Sequence, residues 1–318
     1  MRTWTTWLLG VLLLAGLCFG VARLTDVQRW AVLAQNARPG WLALALAFQV
    51  ATYACIAFVW RVTLRQTGSR VPLRTLLPLS VAKLYSDQVL PSGGVSGSAL
   101  VVGALTRLGI GTTAAFAVLI VMMLGYYAAY LAVDAVALLV LWLNHGLGPL
   151  TLAIALLLSI VAVVIPATVL WVRRDGGDSR LLRLLPSGFS DLLRAFAEVP
   201  DTIVHNSRLL LTSALTQGGI FLLDAGTLWC TLHAVGLDSS FWVALPSFVF
   251  ASMVATLGPI PLGLGTFEAM SVATLTALGS PLQAALAATL LLRGLTVWLP
   301  MLPGLWFTRG ALRTHAPG

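Results

Sequence analysis

Six charged side chains stand where charge is expensive. Lys83, Asp87, Asp134, Asp224, Glu268 and Arg293 lie inside or beside long apolar runs. A charge at the centre of a bilayer costs roughly 2.5–3.5 kcal/mol on insertion scales, so each needs a partner or a task. Lys83 and Asp87 are spaced i, i+4, one turn apart on one helical face. There they either neutralise each other or leave Lys83 to meet a lipid phosphate. Glu268 follows Gly265 by three residues, in the first turn of a restarting helix, where a carboxylate is favoured. Arg293 is the sole charge between Ala284 and Leu299, and pairing it with Glu268 across the bundle is the most economical arrangement. That pair reads equally as a structural clamp or as part of a polar substrate path. Asp134 and Asp224 are lone acids in apolar helices, either hydrogen-bonded structural groups or proton carriers. Asp224 shares a helical face with Gln217, seven residues earlier.

No catalytic constellation joins them. His145, His205, His233 and His315 are scattered, and the sequence contains no HExxH, GxSxG or P-loop motif. Cys18, Cys55 and Cys230 sit far apart in apolar runs, as small packing residues do. The expectation is a protein that is not an enzyme, with no catalytic residue, no metal and no cofactor.

The elements that position these charges follow from composition. Of 318 residues 58% are hydrophobic and 9% charged, against roughly 25% charged in soluble domains. With a mean hydropathy of +0.93, the chain is an integral membrane protein, which excludes a soluble enzyme and a disordered regulator. The net charge of +8 comes in short arginine blocks between apolar runs, marking membrane loops rather than a nucleic-acid surface. Candidate crossings are Trp4–Val21, Trp41–Trp60, Thr112–Leu143, Leu150–Val172, Leu209–Val235, Phe241–Leu257 and Pro281–Phe307. Trp4, Trp41, Trp60, Trp142, Trp171, Trp242 and Trp306 near their ends suit a headgroup belt. Arg61, Arg65, Arg70 and Arg74, the arginines of 173–208, and Arg309 and Arg313 place those connections and both termini in the cytoplasm.

Two stretches break the pattern. Leu90–Gly97 and Gly258–Gly265 are rich in proline and glycine, which interrupt a helix. Non-helical backbone at membrane depth survives only inside protein or along a wet cavity. The expected fold is therefore all-α and polytopic, with about six full crossings and two oppositely oriented re-entrant or broken helix pairs. That is the mark of an inverted repeat with a site between its halves. The division is one transmembrane domain, 1–318. Its first half is 1–143 with break 90–97, followed by a crossing at 144–172 and a cytoplasmic amphipathic connection at 173–208. The second half is 209–318 with break 258–265. Leu185, Phe189, Leu193 and Phe196 share one face of that connection. Pro91, Gly93, Gly94, Gly97, Pro259, Pro261, Gly263 and Gly265 are the expected cavity backbone. Their freed amides could hold an anion such as phosphate.

The run Gly258 to Ala269, then Leu278-Gly279, Arg293 to Pro300 and Pro303-Gly304, closely resembles the C-terminal signature of one family. It is the flippase-like transmembrane domain of bacterial lysylphosphatidylglycerol synthases and its stand-alone relatives. Leu90 to Gly97 is similar to that family's N-terminal Pro/Gly motif, and the likeness spans roughly residues 5–310. Where the family often carries an acid and an arginine, this chain has Ser98, Ala99 and Val102. The resemblance implies a multi-pass protein of the bacterial inner membrane, without the soluble aminoacyl-transfer domain. It implies a protein of the lipid-flippase type, and the leading expectation is a lipid translocase moving a phospholipid, glycolipid or polyprenyl-linked lipid between leaflets. The buried charges beside the broken helices make Glu268, Arg293, Lys83, Asp87 and Asp224 the expected contacts for headgroup or coupling ion. The alternative is a non-transporting membrane subunit that assists a lipid-modifying or envelope-biosynthesis enzyme.

Overall fold

A computed structural model describes residues 37–89, 95–143, 148–174, 195–196, 198–257 and 263–313, and helices carry nearly all of them. In chain order these are α1 (Pro39–Gln66), α2 (Leu73–Val89), α3 (Val95–Arg107), α4 (Thr112–Leu143), α5 (Pro149–Arg174), the single turn α6 (Asp201–Val204) and α7 (Ser207–Ala234). There follow α8 (Phe241–Leu257), α9 (Thr266–Ala277), α10 (Leu282–Arg293), a π-helical segment (Gly294–Trp298) and α11 (Leu299–Arg313). Among the described residues, five stretches are long and apolar enough to cross a membrane: Pro39–Gln66, Thr112–Leu143, Ala155–Val172, Ser207–Ala234 and Leu282–Thr308. The protein is an all-α, multi-pass membrane protein. Of the other two candidate crossings, Trp4–Val21 lies outside the described residues, and Phe241–Leu257 is the 17-residue α8, shorter than a full crossing.

The same order of elements is used twice. α1 and α7 each have 28 residues. α2 and α8 each have 17, with a proline (Pro78, Pro246) at the sixth position. α3 and α9 have 13 and 12, and the helical run from Leu282 to Arg313 equals α4 in length. The stops repeat as well. Gly68 and Gly236 end the first element of each run at φ 80° and 89°, and Gly109 and Gly279 end the third at 79° and 92°. At each stop an amide past the glycine bonds back to a helix carbonyl: Ser69 to Leu64, Leu237 to Leu232, Ile110 to Leu105, and Ser280 to Leu275. This 6→1 bond is the Schellman ending, and it needs the left-handed residue that glycine supplies without strain.

Between the runs stands one further membrane-length helix, α5, and α1 and α7 pack antiparallel. The Arg38 amide before α1 donates to the Ala234 carbonyl at the end of α7 at 3.0 Å. Each short helix pair folds on itself, α2 against α3 and α8 against α9, and then leans on the other run: α2 on α11, α8 on α4. Lipid offers no hydrophobic drive for this, so the helices meet where small residues let backbones approach. On α4, Ser213 of α7 donates to the Val121 carbonyl at 3.0 Å directly beside Gly125. Gly304 of α11 sits against the Tyr85 ring, and Gly226 of α7 against Phe48.

Two expectations need correction, and the last crossing, present as expected, carries a local irregularity. The first break was placed at 90–97, but α3 already begins at Val95. Glycine and serine are tolerated there because first-turn amides lie outside the helical ladder and take other acceptors. The last crossing is not a uniform helix. In its π segment the Leu299 amide reaches back five residues to the Gly294 carbonyl. Pro300 has no N–H to offer the Thr296 carbonyl, so the regular ladder cannot close there. Trp60 is no belt residue; it is fully buried, whereas Trp142, Trp171, Trp242 and Trp306 are exposed. Of the amphipathic face, Leu185, Phe189 and Leu193 lie outside the described residues, and Phe196 packs edge-on to Phe116 at 5.8 Å.

The glycine crossings separate two outcomes. A Cβ at Gly125 would fall 2.9 Å from the Ser213 backbone, while one at Gly218 meets nothing closer than the Ala129 methyl at 4.0 Å. Gly125→Val is expected to destabilise by about 1–3 kcal/mol or abolish the fold, as overpacking does. Gly218→Ala is expected to be neutral or to gain up to about 1 kcal/mol from helix propensity. Thermal unfolding of the purified variants in detergent checks both.

Candidate functional site

Each run restarts its helix after the break with a carboxylate over the new N-terminus. In the second run Glu268, third residue of α9, bends back so that its Oε2 accepts the Gly265 N–H at 2.6 Å. Gly265 takes φ 88°, which turns the chain sharply into the helix. The other oxygen, Oε1, accepts from Arg293 Nε at 3.1 Å, and both side chains are buried. The guanidinium also lies over the Phe267 ring, 4.9 Å from its centroid. Acid, helix terminus and base thus form one neutral unit, the arrangement that makes buried charge tolerable.

In the first run Asp87 of α2 does the same from the other side of the break. Its Oδ1 accepts the Gly97 N–H at 2.8 Å and its Oδ2 the Lys83 ammonium at 2.7 Å. A Cβ on Gly97 would collide with that carboxylate. Gly97 is the third residue of α3 as Glu268 is of α9, and Asp87 is the fifteenth of α2 as Ala255 is of α8. One position therefore carries the acid in one run and the small residue in the other. The Gly97 and Gly265 amides, expected as anion donors, are thus already taken by side chains. Of the expected cavity backbone, Pro91, Gly93, Gly94, Pro259 and Pro261 lie outside the described residues. Gly263, at φ 59°, packs on the Ala255 methyl.

The polar cavity opens where the runs meet. About 310 Å³ lies between α1, α2, α7, α8, α9, the end of α10 and the π segment, with Gln49, Thr52, Tyr53, Asp224, Ser252, Arg293 and Thr296 as polar lining. Gln49 is buried and its amide donates to Asp224 Oδ1 at 2.8 Å and Thr227 Oγ1 at 2.9 Å. The Tyr53 hydroxyl, buried in the same wall, has no hydrogen-bond partner among the described residues. Beside Gln49 and Tyr53, which belong to both linings, runs an apolar groove of about 340 Å³ between α1, α2, the start of the π segment and α11. Leu46, Val50 and Leu299 along it are exposed on the flank of the bundle.

Sequence reasoning brought some of these residues together and missed others. Glu268 meets Arg293, and Lys83 meets Asp87, as spacing and economy suggested. Asp224 and Arg293 share the cavity wall; Lys83, Asp87 and Glu268 do not line it. Gln217 is not the neighbour of Asp224. It turns to α4, donating to Met122 Sδ at 3.3 Å. Asp134 lies elsewhere, between α4 and α5, with Ser159 donating to it at 2.8 Å. Gln49 and Tyr53 were not foreseen, although an amide in the apolar run of α1 was a visible signal.

The two acid–base units differ in burial, and that decides their cost. Glu268 and Arg293 are each 9% exposed at the side chain, Lys83 and Asp87 25% and 18%. Arg293→Ala leaves a buried carboxylate without its cation, held only by the Gly265 amide, and is expected to destabilise by about 3–5 kcal/mol. Lys83→Ala, at a wetter pair, is expected to cost about 1 kcal/mol or less. Glu268→Gln combined with Arg293→Gln should recover part of the loss. Melting temperatures of fluorescent-protein fusions measure all three.

No curated protein is similar enough to this chain to count as a relative. The family model described as the lysylphosphatidylglycerol synthase TM region matches residues 7–304, a span holding both helix restarts, the cavity and all of the groove lining except Phe307. The chain belongs to the family of the lysylphosphatidylglycerol synthase transmembrane region.

Proposed function

We propose that the protein translocates a lipid between leaflets, the headgroup passing through the polar cavity while the tails stay in the groove and the bilayer. The single observation that carries this reading is the adjacency of the two spaces. A cavity walled by Asp224, Arg293, Gln49 and Tyr53 lies side by side with an apolar groove at the flank of the bundle, and Gln49 and Tyr53 line both. An amphipathic molecule with one polar end and one oily end matches that sequence of linings. A solute without tails has no use for the groove.

In this reading the two runs form an inverted repeat, the short helix pairs enter the membrane and return, and the site lies at the interface of the halves. The arginine-bearing ends and both termini face the cytoplasm, as in an inner-membrane protein. The chain moves its lipid and does not modify it. Cargo is a phospholipid, glycolipid or polyprenyl-linked lipid. Family membership, with its membrane-lipid association, supports this class of ligand. Asp224 is bonded by a neutral amide rather than a cation, so a headgroup or coupling proton that meets it changes the charge balance of the cavity.

Vesicles containing the purified protein and a fluorescent headgroup-labelled lipid provide the test. Wild type is expected to expose inner-leaflet lipid to a membrane-impermeant quencher. Asp224→Asn, which keeps the Gln49 hydrogen bond, and Tyr53→Phe are each expected to slow this at least tenfold while melting normally. Wild type without activity on anionic, zwitterionic and polyprenyl lipids, or Asp224→Asn at the full wild-type rate, would overturn the proposal.

A further inference from the structure

At the end of α1 a second polar hollow is built from three arginines. Arg61 and Arg65 stand one turn apart on α1, and the Schellman turn at Gly68 swings the chain back so that Arg70 faces the same space. Val71 and Pro72 complete the wall of this pocket of about 660 Å³. No carboxylate lines it, and no ion pair joins any of the three arginines to an acid among the described residues. It shares no lining residue with the cavity of the proposed transport path.

The repeat supplies an internal control for what this turn requires. The counterparts of Arg61, Arg65 and Arg70 one run later are Trp229, His233 and Asp238, around the matching glycine Gly236. There the turn fills itself. Trp229 Nε1 donates to the Ser239 carbonyl at 2.8 Å, His233 Nε2 lies 3.2 Å from Asp238 Oδ1, and Trp41 packs on both rings at 5.2 and 4.5 Å. The backbone turn therefore forms without arginine and is satisfied by its own side chains. At the α1 end the same positions hold three like charges around open space. Three guanidinium groups facing one hollow repel each other, and an oxyanion placed among them relieves that repulsion while accepting forked hydrogen bonds.

From this the geometry points to a binding site for the phosphate of an anionic phospholipid, held where α1 leaves the membrane. The pocket sits directly beyond the apolar length of α1, the depth at which a phosphodiester lies when its tails remain in the bilayer. Basic pockets between membrane helices hold anionic headgroups by this chemistry. The positive-inside rule asks only for charge at this end of α1. A phosphate site asks in addition for the planar fork, and substitution by lysine separates the two.

The test is native mass spectrometry of the purified full chain with dioleoyl phosphatidylglycerol, dioleoyl phosphatidylcholine, or sn-glycerol 3-phosphate. Wild type is expected to retain phosphatidylglycerol at least tenfold more tightly than phosphatidylcholine. Arg61→Lys/Arg65→Lys/Arg70→Lys keeps the charge and is expected to lose that preference. Arg65→Lys or Arg70→Lys alone, at exposed side chains, is expected to lose part of it should the triple variant fail to fold. Arg74→Lys/Arg174→Lys, which leaves the pocket intact, is expected to bind as wild type. Equal retention of both lipids, full retention by the triple variant, or an equal loss in the Arg74/Arg174 pair would overturn the site. Displacement of the lipid by glycerol phosphate at matched concentration would overturn the assignment to a lipid.

Discussion

The Glu268 carboxylate holds the second run together. Its two oxygens join a helix start, through the Gly265 amide, to a cation on the following helix, Arg293. Lipid offers nothing to satisfy an interrupted backbone, so a break in a helix at membrane depth persists only where protein groups or a wet cavity take over the orphaned donors. Glu268 does so, and Arg293 neutralises the charge that doing so introduces. Because Arg293 also stands at the threshold of the π segment and lines the cavity, the same bond sets one wall of the polar space. Interruption, clamp and cavity are consequences of one requirement.

The first run meets that requirement with different residues. Its acid comes from the helix entering the break rather than the helix leaving it, and its cation from one turn earlier on the same helix. The matched element lengths and the paired glycine stops show that the backbone plan is common to both runs. The side chains have diverged freely around it. That freedom gives the two ends of the molecule unlike surfaces, a self-filled turn at Gly236 and an open arginine pocket at Gly68.

Much of this was legible in the sequence, for physical reasons. Apolar runs of membrane length and proline–glycine interruptions follow from hydropathy and backbone chemistry alone. The Glu268–Arg293 pair was legible because two buried charges with few other partners nearly dictate one another. Three features were not. Gln49 bonds Asp224 across 175 positions, and an uncharged amide gives no charge-balance argument to follow. The π segment leaves no trace in periodicity, and only Gly294 with Pro300 hints at it. The start of α3 at Val95 was not legible because glycine and serine in a first turn cannot be told from loop residues by composition.

The central claim is that the space between the two runs is wet and reachable from outside the protein. Thr296 lines it, whereas Leu215 of α7 is exposed on the outer surface of the bundle. Single cysteines at these positions, with Cys18, Cys55 and Cys230 replaced by alanine, can be treated in sealed vesicles with a membrane-impermeant maleimide. The account predicts labelling of Thr296→Cys, slowed by added lipid, and none of Leu215→Cys. A folded Thr296→Cys protein that stays unlabelled from both sides would contradict it.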